Sequence, residues 1–395
     1  MCLLLLAEPS WADSPATQLR RFEFHRTLMG VPFAATFYAS DESSANKAIE
    51  AAWARIEHLN SLMSDYDSNS ELMRLCRDSR PGQPIRVSPE LFRVLSKSVE
   101  VSELSDGAFD VSVGPLVKLW RRARRQKELP DSKLLQEARE LVGWKNIKLC
   151  RSTETDRKEG RSTDSRWQIQ DGRWQMADGR CRIFNCHSSC HLPFAICHRP
   201  IEENRRCQSR METVELLKPG MKLDLGGIAV GYAADEAIRV LQQHGITRAL
   251  IDGSGDIVVS DPPPGATGWR IGIASLREPE AAPQHFAMLA NCSISTSGDA
   301  YQFVEVGGQR YSHIVDPKTG LGLTERCSVT IIAPDGITAD ALATAVSVLG
   351  PERGLKLIDS QPCAAAMFAT LAGERLVTRQ SARWKEMLAS GAASK

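Results

Sequence analysis

Aromatic and β-favouring residues dominate positions 22–40 (FEFHRTLMGVPFAATFYAS), a pattern that predicts two short strands broken at Met29-Gly30-Val31-Pro32. From Asp41 to Met63 the apolar positions change period. Ile49, Ala52, Trp53, Ile56, Leu59 and Met63 fall at helical spacing, a stripe that faces a core. A second helix is predicted from Ser88 as N-cap and Pro89 at N1 to about Leu104, and a third from Asp131 to Val142, stopped by Gly143. Neither period persists between about 150 and 211. There the chain carries a short duplication, Trp167 to Arg173 followed at once by Trp174 to Arg180, each copy with an Asp-Gly turn signal suited to a small hairpin. Periodicity then returns. Met221 to Leu225 reads as a strand, Gly226-Gly227 as a turn, and Ile228 to His244 as a helix with Ile228, Tyr232, Ala234, Ile238 and Leu241 inward. Strands are expected at 246–252 and 256–260, joined across Gly253-Ser254-Gly255, and near 269–274, 292–296, 302–305 and 327–333. Thr338 is read as the cap of a helix running to Leu349 and closed by Gly350, with Pro351 opening a last long helix. Strands and helices alternate without a βαβ rhythm, so the expected class is α+β, with mixed or antiparallel sheets and packed helices.

At 395 residues the chain is long enough to bury a large core. Its 49 Lys and Arg against 48 Asp and Glu give no electrostatic reason to expect nucleic acid. The run Met1 to Ala7 followed by Ser10-Trp11-Ala12 resembles a short signal peptide over residues 1–12, which predicts export to the periplasm or the outer face of the cytoplasmic membrane. Membrane association is then expected only through a partner or an undetected anchor. Six of the eleven cysteines (Cys150, Cys181, Cys186, Cys190, Cys197, Cys207) fall in the aperiodic stretch. That stretch, 150–211, is read as an insertion between 22–149 and 212–390. Its cysteines offer three readings: disulfides, a Zn²⁺ site using Cys186, Cys190 and Cys197 with the neighbouring His187, His191 and His198, or a variable loop with no role.

Several motifs can carry chemistry. Asp224 to Tyr232 (DLGGIAVGY) places a carboxylate and a glycine turn before a helix N-terminus, where backbone can approach a phosphate or turn carbonyls toward a cation. Asp340 and Thr344 lie at i and i+4 on one helix face, an oxygen pair that suits Mg²⁺; the bland alternative is an Asp complementing the helix dipole. Ser295 to Asp299 and Tyr311 to Gly320 are polar clusters beside strands, and His313 is a candidate proton acceptor. The chain contains no G-x-G-x-x-G, no G-x-S-x-G and no H-E-x-x-H.

Together with Gly107 to Leu116 (GAFDVSVGPL), these segments appear in the order, and with much of the wording, of the FAD:protein FMN transferases, the ApbE-type proteins. The chain closely resembles that family over roughly 22–149 and 212–380. The resemblance implies an α+β, Mg²⁺-dependent enzyme that moves FMN from FAD onto a Ser or Thr hydroxyl of an acceptor flavoprotein, releasing AMP. It implies that Met29, Tyr66, Ala108, Phe109 and Asp110 line the FAD site, that Asp224 contacts the adenine or ribose, and that Ile314 beside His313 touches the cofactor. It places Mg²⁺ between the main-chain carbonyl of Gly227 and the side chains of Asp340 and Thr344. One departure is Val230, where the family usually has Lys near the FAD diphosphate; Lys222 is a candidate to compensate. The competing readings are an FAD pyrophosphatase, which uses water in place of the hydroxyl, and a non-catalytic flavin-binding protein, for which Val230 is the motive.

Overall fold

The computed structural model describes residues 19–152, 167–170, 173–176, 211–278, 281–283, 285–298, 302–373 and 375–389. The chain opens with β1 (Arg20–Leu28) and β2 (Val31–Ala39), paired from Leu28↔Val31 outward. Met29 and Gly30 both have positive φ (52° and 77°), the backbone that a two-residue hairpin turn needs. Asp41 caps α1 (Glu42–Met63) by accepting from Ser44 N at 2.9 Å, and the predicted apolar stripe from Ile49 to Met63 is buried. There follow α2 (Glu71–Asp78), β3 (Ile85–Arg86), α3 (Pro89–Leu104), α4 (Gly114–Gln126), α5 (Ser132–Glu140), β4 (Ile147–Ser152), β5 (Trp167–Gln170), β6 (Arg173–Met176) and β7 (Met211–Leu216). The second half comprises α6 (Ala229–Gln243), β8 (Ala249–Gly253), β9 (Asp256–Val259), β10 (Trp269–Ile273), β11 (His285–Leu289), β12 (Cys292–Gly298), β13 (Phe303–Val306), β14 (Gln309–Ser312), β15 (Cys327–Ala333), α7 (Gly336–Asp359), β16 (Ala365–Ala372), β17 (Arg375–Gln380) and α8 (Trp384–Ala389).

One eight-stranded sheet organises the molecule, in the order β1-β2-β8-β9-β12-β15-β16-β17, every neighbouring pair antiparallel. Successive side chains on its strands enter different cores. Val258, Ile331 and Ala366 join the main core, whereas Val259, Ile332 and Ala365 join a second one with Trp269, Ala287 and Trp384. This is the period of two expected of a sheet covered on both faces. Helices α1, α6 and α7 pack on one face, and the β10–β11 hairpin with α8 covers the other. The class is α+β, as the element order predicts.

Three local expectations are corrected. Met221 to Leu225 is not a strand: the segment is extended but forms only an isolated parallel bridge, Val113↔Lys222, because it lies against the loop that leads into α4 rather than at a sheet edge. Asp335, not Thr338, caps α7, since its side chain accepts from Thr338 N at 3.0 Å. Gly350 (φ 75°, ψ 175°) kinks α7 and does not end it, the second limb starting at Pro351. The small sheet β3-β7-β4 pairs Cys150 with Thr213 and Ser152 with Met211, so regular structure extends into the stretch that composition sets apart. The duplicated segment contributes β5 and β6, paired antiparallel with Ile169 opposite Trp174. Residues 1–12, Cys181, Cys186, Cys190, Cys197, Cys207 and Asp299 lie outside the described residues.

Candidate active site

Two loops run side by side into two helix starts. Asp224 N donates to Val111 O at 2.8 Å, and Gly114 is pressed against Lys222, whose carbonyl would lie 2.7 Å from a Cβ there. The loop carrying Ala108, Phe109 and Asp110 is thereby held against the loop carrying Asp224 and Gly227. Asp110 is buried, and its carboxylate accepts from Ser112 N (2.8 Å), Ser112 Oγ (2.6 Å) and Trp144 N (2.8 Å). Burial raises its pKa and these donors oppose the rise. Asp110 therefore shapes the loop, with Ala108 and Phe109 buried beside it.

Helices α6 and α7 cross at two glycines. A Cβ on Gly231 would stand 2.2 Å from Gly336 O, so only glycine permits this approach. The crossing sets Asp340 Oδ2 3.1 Å from Gly231 N, and places Thr344 against Gly227, where an added Cβ would meet Oγ1 at 2.8 Å. Asp235 of α6 secures the start of α7 by accepting from Gly336 N (2.7 Å) and Ile337 N (2.9 Å). From the far side, Arg55 of α1 donates to Glu236 of α6 and to Glu90 of α3 (2.9 Å), fixing α6 laterally.

Negative charge accumulates at this crossing. Asp340 is buried, and its pKa is pushed well up by burial and by the neighbouring Asp256. Asp256, which accepts from Ser295 Oγ, is raised to about 7, by burial first, with Asp252 adding to the rise. Such a cluster favours a proton or a cation. Among the described residues no three His, Cys, Asp or Glu assemble as a metal cluster. The donors that can converge here are one carboxylate (Asp340), one hydroxyl (Thr344) and the main chain of Gly227. That hard, sparse oxygen set suits Mg²⁺, which keeps several waters or phosphate oxygens, and the residues present fit it.

Asp224 belongs to a second cluster. Its Oδ2 accepts from Arg121 Nη2 at 3.0 Å and its Oδ1 from Gly226 N at 2.9 Å. The same guanidinium donates to Asp65 and lies over the ring of Tyr66, 4.4 Å from its centroid. Burial and Asp65 push the Asp224 pKa up and Arg121 opposes them. Met29 occupies the β1–β2 turn and packs against the main core; a cavity of about 340 Å³ is lined by His25, Arg26, Pro32, Phe33, Asp252 and Ser254. Val230 faces Gly253 of β8 from the α6 side, where an added Cβ would meet its Cγ1 at 2.6 Å. Lys222 leads into the Asp224 loop beside Gly114, and its charge acts on the Cys76 thiol. His313 Nδ1 lies 3.1 Å from Gln302 O, an acceptor only, so a proton on Nδ1 leaves the lone pair on Nε2. Gln302 Oε1 in turn accepts from Arg124 of α4 at 3.2 Å, and Ile314 is buried next to His313.

Contacts thus join Gly227 to Thr344, Asp340 to the start of α6, Tyr66 to Asp224, and the 108–110 loop to the Asp224 loop. His313 and Ile314 follow the β13–β14 hairpin, in a segment that is held to α4, to α5 and to Asp106. The residues that sequence reasoning did not assign are Arg121, Asp235, Asp252 and Asp256. Asp252 and Asp256 carry a faint signal, two acids flanking a Gly-Ser-Gly turn; Arg121 and Asp235 carry none that distinguishes them from ordinary helix-surface charges.

The model of the ApbE family matches residues 29–170 and 195–368. The FAD:protein FMN transferase of Escherichia coli (strain K12) is 25% identical over 386 residues, spanning 97% of this chain and 93% of that protein. The FAD:protein FMN transferase of Treponema pallidum (strain Nichols) is 28% identical over 339 residues, 82% of this chain and 78% of that protein. Among solved structures, the flavin transferase ApbE of Vibrio cholerae shares the fold with a TM-score of 0.70 at 23% identity, over 94% of this chain and 100% of that one. The apo flavinyl transferase ApbE of Pseudomonas stutzeri does so with a TM-score of 0.70 at 24% identity, over 94% and 98%.

Proposed function

The chain belongs to the ApbE family, and we propose from that premise that it transfers FMN from FAD to a target protein. The observation that carries this reading is the glycine crossing of α6 and α7, which sets Asp340 and Thr344 against Gly231 and Gly227 beside the loop of Asp224. We further propose that the acceptor group is a Ser or Thr hydroxyl, that Mg²⁺ is required, and that the protein works outside the cytoplasmic membrane. The last point rests on Met1 to Ala12 alone; among the described residues no helix is long and apolar enough to cross a membrane.

In this reading the acceptor oxygen attacks the FMN-side phosphorus of FAD. The P–O bond to the other phosphate breaks, AMP leaves with that oxygen, and the hydroxyl proton passes to a base. Held by Asp340, Thr344 and the Gly227 carbonyl, Mg²⁺ would neutralise charge on the pyrophosphate as it divides. The chain's own contribution is positional. Asp235 and Arg55 lock the two helices, the Asp110 hydrogen bonds hold the 108–110 loop, and Asp224 accepts hydrogen bonds from the adenosine end. His313, with Nδ1–H directed at Gln302 O, offers Nε2 as the proton acceptor. Val230 makes the site less cationic than a lysine there would, which loads more of the charge compensation onto the metal.

Incubation with FAD, Mg²⁺ and an acceptor fragment, followed by mass spectrometry of the fragment, tests the proposal. An added FMN on Ser or Thr is expected. Release of FMN and AMP with no labelled acceptor would identify a pyrophosphatase, and FAD binding with no turnover at any Mg²⁺ concentration a non-catalytic binder.

A further inference from the structure

Tyr66 is 80% exposed, an unusual position for an aromatic ring in a folded chain. It is not loose. The Arg121 guanidinium covers one face of the ring at 4.4 Å, a separation at which cation and ring attract, and leaves the other face to solvent. Through its remaining donors the same guanidinium holds Asp65 of the turn after α1 and Asp224 of the turn before α6, the latter at 3.0 Å. Three groups from two distant segments are therefore set by one side chain on α4. Its position, two turns into the helix, is fixed by the neighbouring Trp120, which is buried and donates to Gly320 O at 2.8 Å.

The arrangement has a definite chemical preference. With two carboxylates on one guanidinium the cluster carries no surplus positive charge, so it does not attract a phosphate. It offers a flat ring for stacking and, beside it, carboxylate oxygens that accept hydrogen bonds. Planar ligands with N–H and O–H donors fit, and a purine nucleoside has both features.

We infer that Arg121 is the positioning residue of the purine end of the site, holding Tyr66 as a stacking platform and Asp224 as a hydrogen-bond acceptor for the adenosine half of the dinucleotide. The inference rests on the proposed function, because it takes FAD as the ligand. Arg121 touches neither the metal donors nor the reacting phosphorus. It sets affinity for the adenosine half and leaves the chemical step alone. A guanidinium is needed, since an ammonium keeps the charge but cannot stack on the ring while donating in one plane to two carboxylates.

The test compares the full chain with Arg121→Gln and Arg121→Lys, using FAD, ADP and FMN as separate probes in equilibrium binding, with KM for FAD and kcat measured alongside. Arg121→Gln should weaken FAD and ADP at least tenfold, leave FMN within twofold, and raise KM with kcat within threefold. Arg121→Lys should fall between the parent and Arg121→Gln. If Arg121→Gln does not fold, Arg121→Lys alone decides, with a loss of at least threefold expected for ADP and none for FMN. Equal losses for FMN and ADP, a fall confined to kcat, unchanged ADP affinity in the variants, or a parent that does not bind ADP would overturn the assignment. A parent that binds FAD and ADP normally but labels no acceptor would overturn the proposed function and leave the role of Arg121 standing.

Discussion

Replacing Gly227 by Ala separates the proposed metal site from the scaffold that holds it. An added Cβ would lie 2.8 Å from Thr344 Oγ1 and 3.5 Å from its Cβ and Cγ2, so only the hydroxyl oxygen is crowded. Rotation about χ1 removes the overlap at a cost of about 0.5–1.5 kcal/mol. The lost freedom of the unfolded chain returns about 0.4–1 kcal/mol. The net change in stability is close to zero, but the hydroxyl has left its place. Gly231→Ala is the contrasting case, because its Cβ would stand 2.2 Å from the main-chain oxygen of Gly336 and no side-chain rotation relieves that. Separating the two helices should cost roughly 3 kcal/mol. With an unfolding entropy of about 2.1 cal/mol/K per residue over 395 residues, that lowers Tm by roughly 4 °C. The assay is thermal unfolding with and without Mg²⁺, together with FMN transfer to an acceptor fragment. Gly227→Ala should keep the Tm of the metal-free parent to within about 1 °C, lose the Mg²⁺-dependent rise, and transfer FMN roughly 100-fold more slowly. Full transfer with an intact Mg²⁺ response in Gly227→Ala would refute the placement of Thr344 and Gly227 at one cation.

The other predictions concern the charges around this point. Asp340→Asn removes a buried carboxylate while keeping an acceptor for Gly231 N, so in EDTA at pH 8 the variant should be at least as stable as the parent, yet gain nothing from Mg²⁺ and transfer no FMN. Asp256 is raised to about 7 in the folded state, so the folded protein holds a proton that the unfolded chain releases near pH 4. Stability without metal should therefore fall as pH rises from about 4 to about 7, by up to ~1.4 kcal/mol per pH unit from this group, then level; Asp256→Asn should flatten that slope in pH-dependent denaturation. Asp110→Asn turns an amide N–H₂ toward donors that the carboxylate now satisfies, and should cost about 1–3 kcal/mol in urea unfolding and weaken FAD binding with it. Arg55→Met leaves Glu90 without its cation and Glu236 with Arg239 alone, and should lower stability by about 2–4 kcal/mol; an unchanged urea midpoint would mean the network does not hold α6.

The elements that could be read from sequence are those whose cause is local. The stripe of α1, the Ser88-Pro89 start of α3 and the strand Cys327–Ala333 each carry their period and their boundaries within a few residues. Helix α4 was missed because Lys118, Arg121, Arg122, Arg124 and Arg125 thin its apolar face to Leu116, Trp120 and Ala123, which are buried because α5, β13 and the Asp316–Gly320 turn pack on them. Met221 to Leu225 failed for the opposite reason: it alternates like a strand, but its partner is the irregular loop before α4, so no ladder forms. Thr338 failed as a cap because Asp335, three residues earlier, accepts from Thr338 N, which puts Thr338 inside the first turn of the helix.

The site divides in the same way. The i, i+4 pairing of Asp340 and Thr344 is written in one helix, and the glycine turn before α6 in one segment. What joins them is the contact between Gly231 and Gly336, 105 positions apart, which has no local signature because each glycine is required by the main-chain oxygen of the other. The same holds for Arg121, whose role exists only once the turns carrying Asp65 and Asp224 have been brought to one side of α4. Residues that perform chemistry tend to keep their type in a short motif, because the reaction dictates the functional group. Residues that position them answer only to geometry, and a cation over a ring or an acid at a helix start can come from any part of the chain that the fold delivers. Sequence motifs therefore mark the candidate oxygen donors of this site, whereas Arg121, Asp235 and Arg55 become visible only when the helices are packed.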